Sequence, residues 1–99
     1  MWGLGIQMER SAVSIASNIA EGRERQHTPE FIQFCYIALG SCAELATQVE
    51  IAKRRKYIPA EKCNMIADKL QVERRMILGL INSLKEYKSR GKRQRNAGG

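Results

Sequence analysis

Apolar side chains return at three- and four-residue intervals along almost the whole chain, and nowhere do they alternate as a half-buried strand requires. The clearest run steps through Phe31, Cys35, Ala38, Cys42, Leu45, Val49 and Ala52, a 4-3 repeat over three heptads. Ile32, Tyr36, Leu39, Ala43 and Ala46 widen it on one flank and Ile37 and Ile51 lie on the other, so this helix is expected to be covered on more than one side. Thr28 suits the cap, Pro29 the first helical position and Glu30 the first turn, which predicts a helix over about 29–54.

A second seam runs through Cys63, Ile66, Leu70, Glu73, Ile77, Leu80, Leu84 and Tyr87, broken only by Glu73, and predicts a helix over about 59–90. Met65, Val72 and Met76 form a further apolar stripe on it. Ahead of both, Val13, Ala16 and Ala20, flanked by Ala12, Ile15 and Ile19, predict a helix over about 6–21. Gly22 reads as its left-handed terminator, with Arg23 and Arg25 beside the negative end of the dipole. The glycines inside the other two helices, Gly40 and Gly79, read as points of close helix contact.

The fold class is therefore all-α, an antiparallel up-down bundle of three helices forming one domain over 1–90. A basic segment at 91–99 follows, too polar to bury anything and expected to be disordered when unbound. The two longer helices carry more apolar surface than a three-way core consumes, so the excess is expected to meet a further helix or another chain.

Charge sharpens this picture. The 17 Lys and Arg residues exceed the 10 Asp and Glu by 7. Of that excess, +5 lies in 85–99, where Lys85, Lys88, Arg90, Lys92, Arg93 and Arg95 face Glu86 alone. With Lys53, Arg54, Arg55 and Lys56 at the end of the central helix, these residues are the candidate nucleic-acid contacts, and RNA is the expected polyanion. A protein partner held by the apolar surface, with the charge serving solubility, is the alternative. The longest uncharged run, 31–43, is too short to cross a membrane, and no signal peptide opens the chain, so a cytoplasmic location is expected. Cys35, Cys42 and Cys63 fall at seam positions and read as reduced core thiols.

The segment SAVSIASNIAEGRER, residues 11–25, followed by PEFIQFCYIALGSCAELATQVEIAKRRKYI, residues 29–58, is a specific pattern. It resembles the small helical proteins encoded in intervening sequences of bacterial 23S ribosomal RNA genes. Ser14, Ile15, Ser17, Asn18, Ile19, Ala20, Glu21 and Gly22 carry the first motif. Glu30, Phe31, Phe34, Ile37, Ala38, Gly40, Ser41, Glu44, Leu45 and Gln48 carry the second. The resemblance implies a four-helix bundle assembled as a homopentamer, and a likeness to the accessory variability proteins of diversity-generating retroelements, which bind RNA and a reverse transcriptase. It also implies a helix ahead of Gly3-Leu4-Gly5-Ile6-Gln7, the point at which this chain opens, so a bundle with the first family helix absent is expected.

Little in the chain suggests catalysis. Ser11, Ser14, Asn18 and Glu21 form one polar row at 3-4-3 spacing, expected to pack against another helix and to sit at an interface. Glu44 and Glu73 interrupt apolar helices and are expected to find cations or several donors. The single His27 precedes a helix cap, and no Glu-x-x-His, phosphate-loop or zinc spacing occurs. The expectation is a non-enzymatic protein with no metal and no cofactor.

Overall fold

The computed structural model describes the backbone of residues 2–98 and the side chains of residues 3–91. Three helices run antiparallel, α1 (Trp2–Arg23), α2 (Thr28–Arg54) and α3 (Ala60–Gly98), and no strand occurs among the described residues. Helix α3 continues to Gly98 through the segment expected to be disordered when unbound, and the side chains of Lys92, Arg93 and Arg95 lie outside those described.

Helix α2 is the centre of the arrangement. α1 and α3 each pack along it, while among the described residues no Cα of α1 comes within 8 Å of one in α3. The result is a long, flat body of 62 × 20 × 13 Å. At 1.5 Å per residue the 39 residues of α3 outrun the 27 of α2 by roughly 18 Å.

The seam of α2 is buried from Cys35 to Ala52: Cys35, Ala38, Cys42, Leu45, Val49 and Ala52 all lie in the interior. Ile15 of α1 and Cys63, Ile77 and Ile81 of α3 close over it, with Met8, Ile19, Leu70 and Leu84 packed around. Small side chains at 35, 38 and 42 let both neighbours approach α2 closely, which a row of leucines would prevent. The three cysteines are free and buried.

α1 departs from the sequence reading in three ways. It begins at Trp2 rather than near 6. Its inward stripe is Leu4, Met8, Ser11, Ile15, Asn18 and Gly22, which continues the 4-3 spacing back to the start, while Val13, Ala16 and Ala20 face outward. Ala, Ser and Val fit either face by size, so spacing alone selects the wrong one. Gly22, finally, is helical rather than left-handed, since no glycine among the described residues has positive φ. A Cβ there would meet Phe31 Cδ1 at 2.7 Å and Phe34 Cβ at 2.9 Å, so glycine is needed for contact between the end of α1 and the start of α2.

The turns also differ in detail. α2 is capped by extended His27, whose carbonyl accepts the amides of Glu30 (3.1 Å) and Phe31 (3.3 Å), and Thr28 is already helical. At the far end Lys56 adopts φ 59°, and the Tyr57 amide reaches back to the Ala52 carbonyl at 2.9 Å. This is the left-handed helix stop that glycine usually provides.

Candidate nucleic-acid interface

Antiparallel packing separates the two basic clusters. Lys53, Arg54, Arg55 and Lys56 close α2, at the end where α3 begins; Lys85, Lys88 and Arg90 lie near the end of α3, beside the start of α2. The clusters are thus the length of α2 apart, roughly 40 Å for its 27 residues. They do not form one surface.

At the first end, Arg54 Nε donates to Glu50 at 3.0 Å and Lys53 Nζ to Asn64 Oδ1 at 3.0 Å. Arg55 and Lys56 are exposed and have no carboxylate partner among the described residues. At the second end, Lys85 Nζ donates to the Tyr36 hydroxyl at 2.7 Å and stands 5.3 Å from that ring's centroid, which ties it to α2. Arg90 makes only a long 3.4 Å contact to exposed Glu86, and Lys88 is exposed with no ion pair among the described residues.

The α1–α2 connection joins this second end, which the charge pattern by itself does not reveal. His27 and Thr28 line one side of an open hollow of about 650 Å³; Tyr87, Lys88, Arg90 and Gly91 line the other. Arg25 stands close by in sequence, its guanidinium 2.7 Å from Glu21 Oε1 and 5.0 Å above the Phe34 ring. The up-down-up topology is the available signal, because it brings the end of α1 and the end of α3 to the same end of the bundle.

Tyr87 is a further correction. Its seam position predicts burial, yet it is 63% exposed. A straight helix drifts about 20° per heptad against a 3.5-residue repeat. The line Ile66, Glu73, Leu80, Tyr87 is half-buried through Leu80 and exposed at Tyr87, as that drift requires.

The polar row sits largely between α1 and α2. Ser11 is buried, Ser14 and Ser41 hydroxyls meet at 2.7 Å, and Asn18 Nδ2 donates to the Ser14 carbonyl (2.8 Å) and hydroxyl (3.0 Å). Glu21 instead turns to solvent and pairs with Arg25. The expected partners for Glu44 and Glu73 do not materialise. Glu44 is exposed and needs none; Glu73 is half-buried, and neither carboxylate makes an ion pair among the described residues. Glu44 borders a polar hollow with Arg10 and Gln48, in which Gln48 Oε1 is buried without a donor.

The close contacts expected at Gly40 and Gly79 are absent among the described residues: outside its own helix backbone, neither glycine has anything within 4 Å of where a side-chain methyl would stand. Ile37 lies one turn from Gly40 on the outer side of α2 and Ile51 about three turns further along, and Met65, Val72 and Met76 lie exposed on α3. Burial pushes the Cys35 thiol above its ordinary range. Cys42 is raised by burial and further by Glu73, with Arg74 opposing. Raised thiols are poor nucleophiles at neutral pH. Among the described residues no His, Cys, Asp and Glu side chains group as a metal site, and no helix is long and apolar enough to cross a membrane.

Fold and surface together define a small antiparallel helical bundle with basic ends. The chain belongs to the 23S rRNA-intervening sequence protein family, which it matches over residues 1–79. It is similar to the crystal structure of a protein of unknown function from the S23 ribosomal protein family of Bacteroides thetaiotaomicron, with a TM-score of 0.76 and 28% identity. That match covers 79% of this chain and 72% of the other. No curated protein matches the chain.

Proposed function

We propose that this chain is a non-enzymatic, self-associating helical-bundle protein that binds structured RNA through its basic ends. The observation that carries the reading is the corner where the α1–α2 connection meets Lys88 and Arg90 of α3. Lys92, Arg93 and Arg95 follow in sequence, so the corner leads into the most basic stretch of the chain. Exposed, weakly paired cations of this kind lose little by exchanging their carboxylates for phosphates. The likeness to retroelement accessory variability proteins that the family resemblance implies favours the same reading.

Self-association draws on the outer apolar positions. Ile37 and Ile51 on α2 and Met65, Val72 and Met76 on α3 are exposed. Such stripes on a small chain favour contact with further copies, and the homopentamer implied by the family resemblance supplies one arrangement. Five basic ends on one assembly would raise a weak RNA contact by avidity. The same exposed stripes favour a second reading, a scaffold for a protein partner.

The test is fluorescence anisotropy with a structured RNA across a salt series. The expected slope of log K against log salt is roughly −3 or steeper, from several phosphates neutralised. Because the clusters lie at opposite ends, neutralising Lys88 and Arg90 together with Lys92, Arg93 and Arg95 is expected to flatten the slope for a short hairpin. Neutralising Arg55 and Lys56 then leaves that slope unchanged. Absence of binding at low salt sinks the RNA reading and leaves the scaffold.

A further inference from the structure

We infer that the corner between α3 and the α1–α2 connection receives an unpaired nucleotide of the RNA, its base stacked on Tyr87 and its phosphates on Lys88 and Arg90. This rests on the RNA reading above and gives it a specific site.

The first observation is the exposure of Tyr87, at 63%, beside the hollow of about 650 Å³. A flat aromatic face in such a place accepts any base, because every base has a π-face. The second is Gly91. On a helix, residues four apart are neighbours, so the side chain of residue 91 would stand over Tyr87. Glycine there puts no side chain into that space, and outside the helix's own backbone no described residue comes within 4 Å of where its methyl would be. Neither a positive φ nor a close helix contact requires this glycine, although it is among the poorest helix formers. Its effect is to leave room beside the ring.

The third observation is charge. Lys88 follows Tyr87 directly and Arg90 stands one turn on, so two cations flank the ring on the same wall of the hollow. Among the described residues Arg90 has only the exposed 3.4 Å contact with Glu86 to give up. The opposite wall contributes His27 and the Thr28 hydroxyl as neutral donors or acceptors. Phosphate alone can meet the two cations, and a base that stacks on the ring adds a contact that a simple polyanion cannot make. The hollow thus selects for a base attached to a phosphate, and a paired duplex end keeps its bases from the ring.

The full chain is titrated with two labelled RNAs of equal phosphate number, a hairpin with an unpaired loop and a blunt duplex. The expected result is a preference for the hairpin of about tenfold, the scale of one stacked base. Tyr87→Ala removes the preference and leaves duplex binding as it was; Tyr87→Phe, which keeps the ring, retains it. Gly91→Leu adds no charge and favours helix, and it also removes the preference by filling the space beside the ring. Circular dichroism melts confirm that each variant is folded. If Tyr87→Ala binds the hairpin as tightly as the parent chain, or loses hairpin and duplex equally, the inference is overturned while the RNA reading stands. If polyglutamate displaces the hairpin as well as unlabelled RNA does, the corner is a general anion contact and the inference again fails. If neither RNA binds at low salt, the RNA reading itself falls first.

Discussion

Ser14 on α1 and Ser41 on α2 share a hydroxyl–hydroxyl hydrogen bond of 2.7 Å at the interface of the two helices. Each also has a second partner. Ser41 Oγ lies 3.3 Å from the Ile37 carbonyl to which it can donate, and Ser14 Oγ accepts from Asn18 Nδ2 at 3.0 Å. The pair therefore fastens a seam where two backbones approach closely, and Ser41 is buried.

Removing one member leaves the other partly satisfied, so Ser14→Ala and Ser41→Ala are each expected to cost about 1 kcal/mol. The double variant is expected to cost less than the sum by about 0.5–1 kcal/mol, because the second change removes a group already short of its partner. Urea unfolding of the four proteins closes the cycle. Strict additivity would show that the contact is incidental.

Gly22 meets α2 more tightly still. Alanine is the better helix former by about 1 kcal/mol. Against that, its methyl would lie 2.7 Å from Phe31 Cδ1 and 2.9 Å from Phe34 Cβ. The Phe31 ring can swing aside, but the Phe34 Cβ moves only with its backbone, so the helix ends must part. Overpacking of this kind costs about 1–3 kcal/mol, and Gly22→Ala is expected to lower the melting temperature rather than raise it. A stabilised variant would rule out the close approach.

These two sites mark how far the sequence reaches. The α2 seam is legible because its apolar residues have one consistent spacing and its flanks are visibly different. The face of α1 is not, since Ala16 and Ser11 are alike in volume and only the partner helix distinguishes them. Gly22 has two physical uses, a left-handed stop and a close approach, and the sequence cannot say which applies. Tyr87 escapes a 4-3 count because the count holds the seam straight while a straight α-helix rotates it outward. The opposite placement of Lys53–Lys56 and Lys88–Arg90 is within reach of the sequence, since it follows from antiparallel topology, but a count of charge alone does not show it.

Lys56 carries a cost of its own. It holds φ 59°, where a β-carbon crowds the backbone, and the Tyr57–Ala52 hydrogen bond depends on that turn. Lys56→Gly is expected to stabilise the chain by about 1 kcal/mol, a rise of roughly 4–8 °C in melting temperature at this size. Under the RNA reading the same change removes one cation from the far cluster. Stability and affinity for a long RNA then move in opposite directions, which a thermal melt and a salt titration on one variant measure together.

The buried thiols set an alkaline limit. Burial raises Cys35, and burial with the Glu73 carboxylate raises Cys42, so the folded chain holds these protons more tightly than the unfolded one. Their contribution is fully present below the ordinary thiol range, near about pH 8.5, and is lost as pH rises through the folded values. Stability is expected to decline across that window in urea melts, and less steeply in Cys35→Ala/Cys42→Ala. Glu73→Gln removes a neighbouring negative charge and is expected to let Cys42 ionise at lower pH than in the parent chain. Thiol alkylation followed against pH in the two proteins reads the direction.

Gly40 and Gly79 give the sharpest test of the outer surface. Both lie inside helices, where glycine costs about 1 kcal/mol against alanine, and both face open space. Nothing inside the chain repays that cost. Alanine at either position is therefore expected to stabilise the isolated chain by about 0.5–1 kcal/mol. If copies pack through the exposed stripes on the same faces, with Ile37 one turn from Gly40 and Met76 one turn from Gly79, the added methyl stands in the contact. The assembly is then expected to weaken while the chain itself grows more stable. Sedimentation across a concentration series, paired with urea melts of dilute protein, separates the two effects. A gain in chain stability with unchanged association would mean that the copies meet elsewhere, and would send the search to the outward Val13 face of α1.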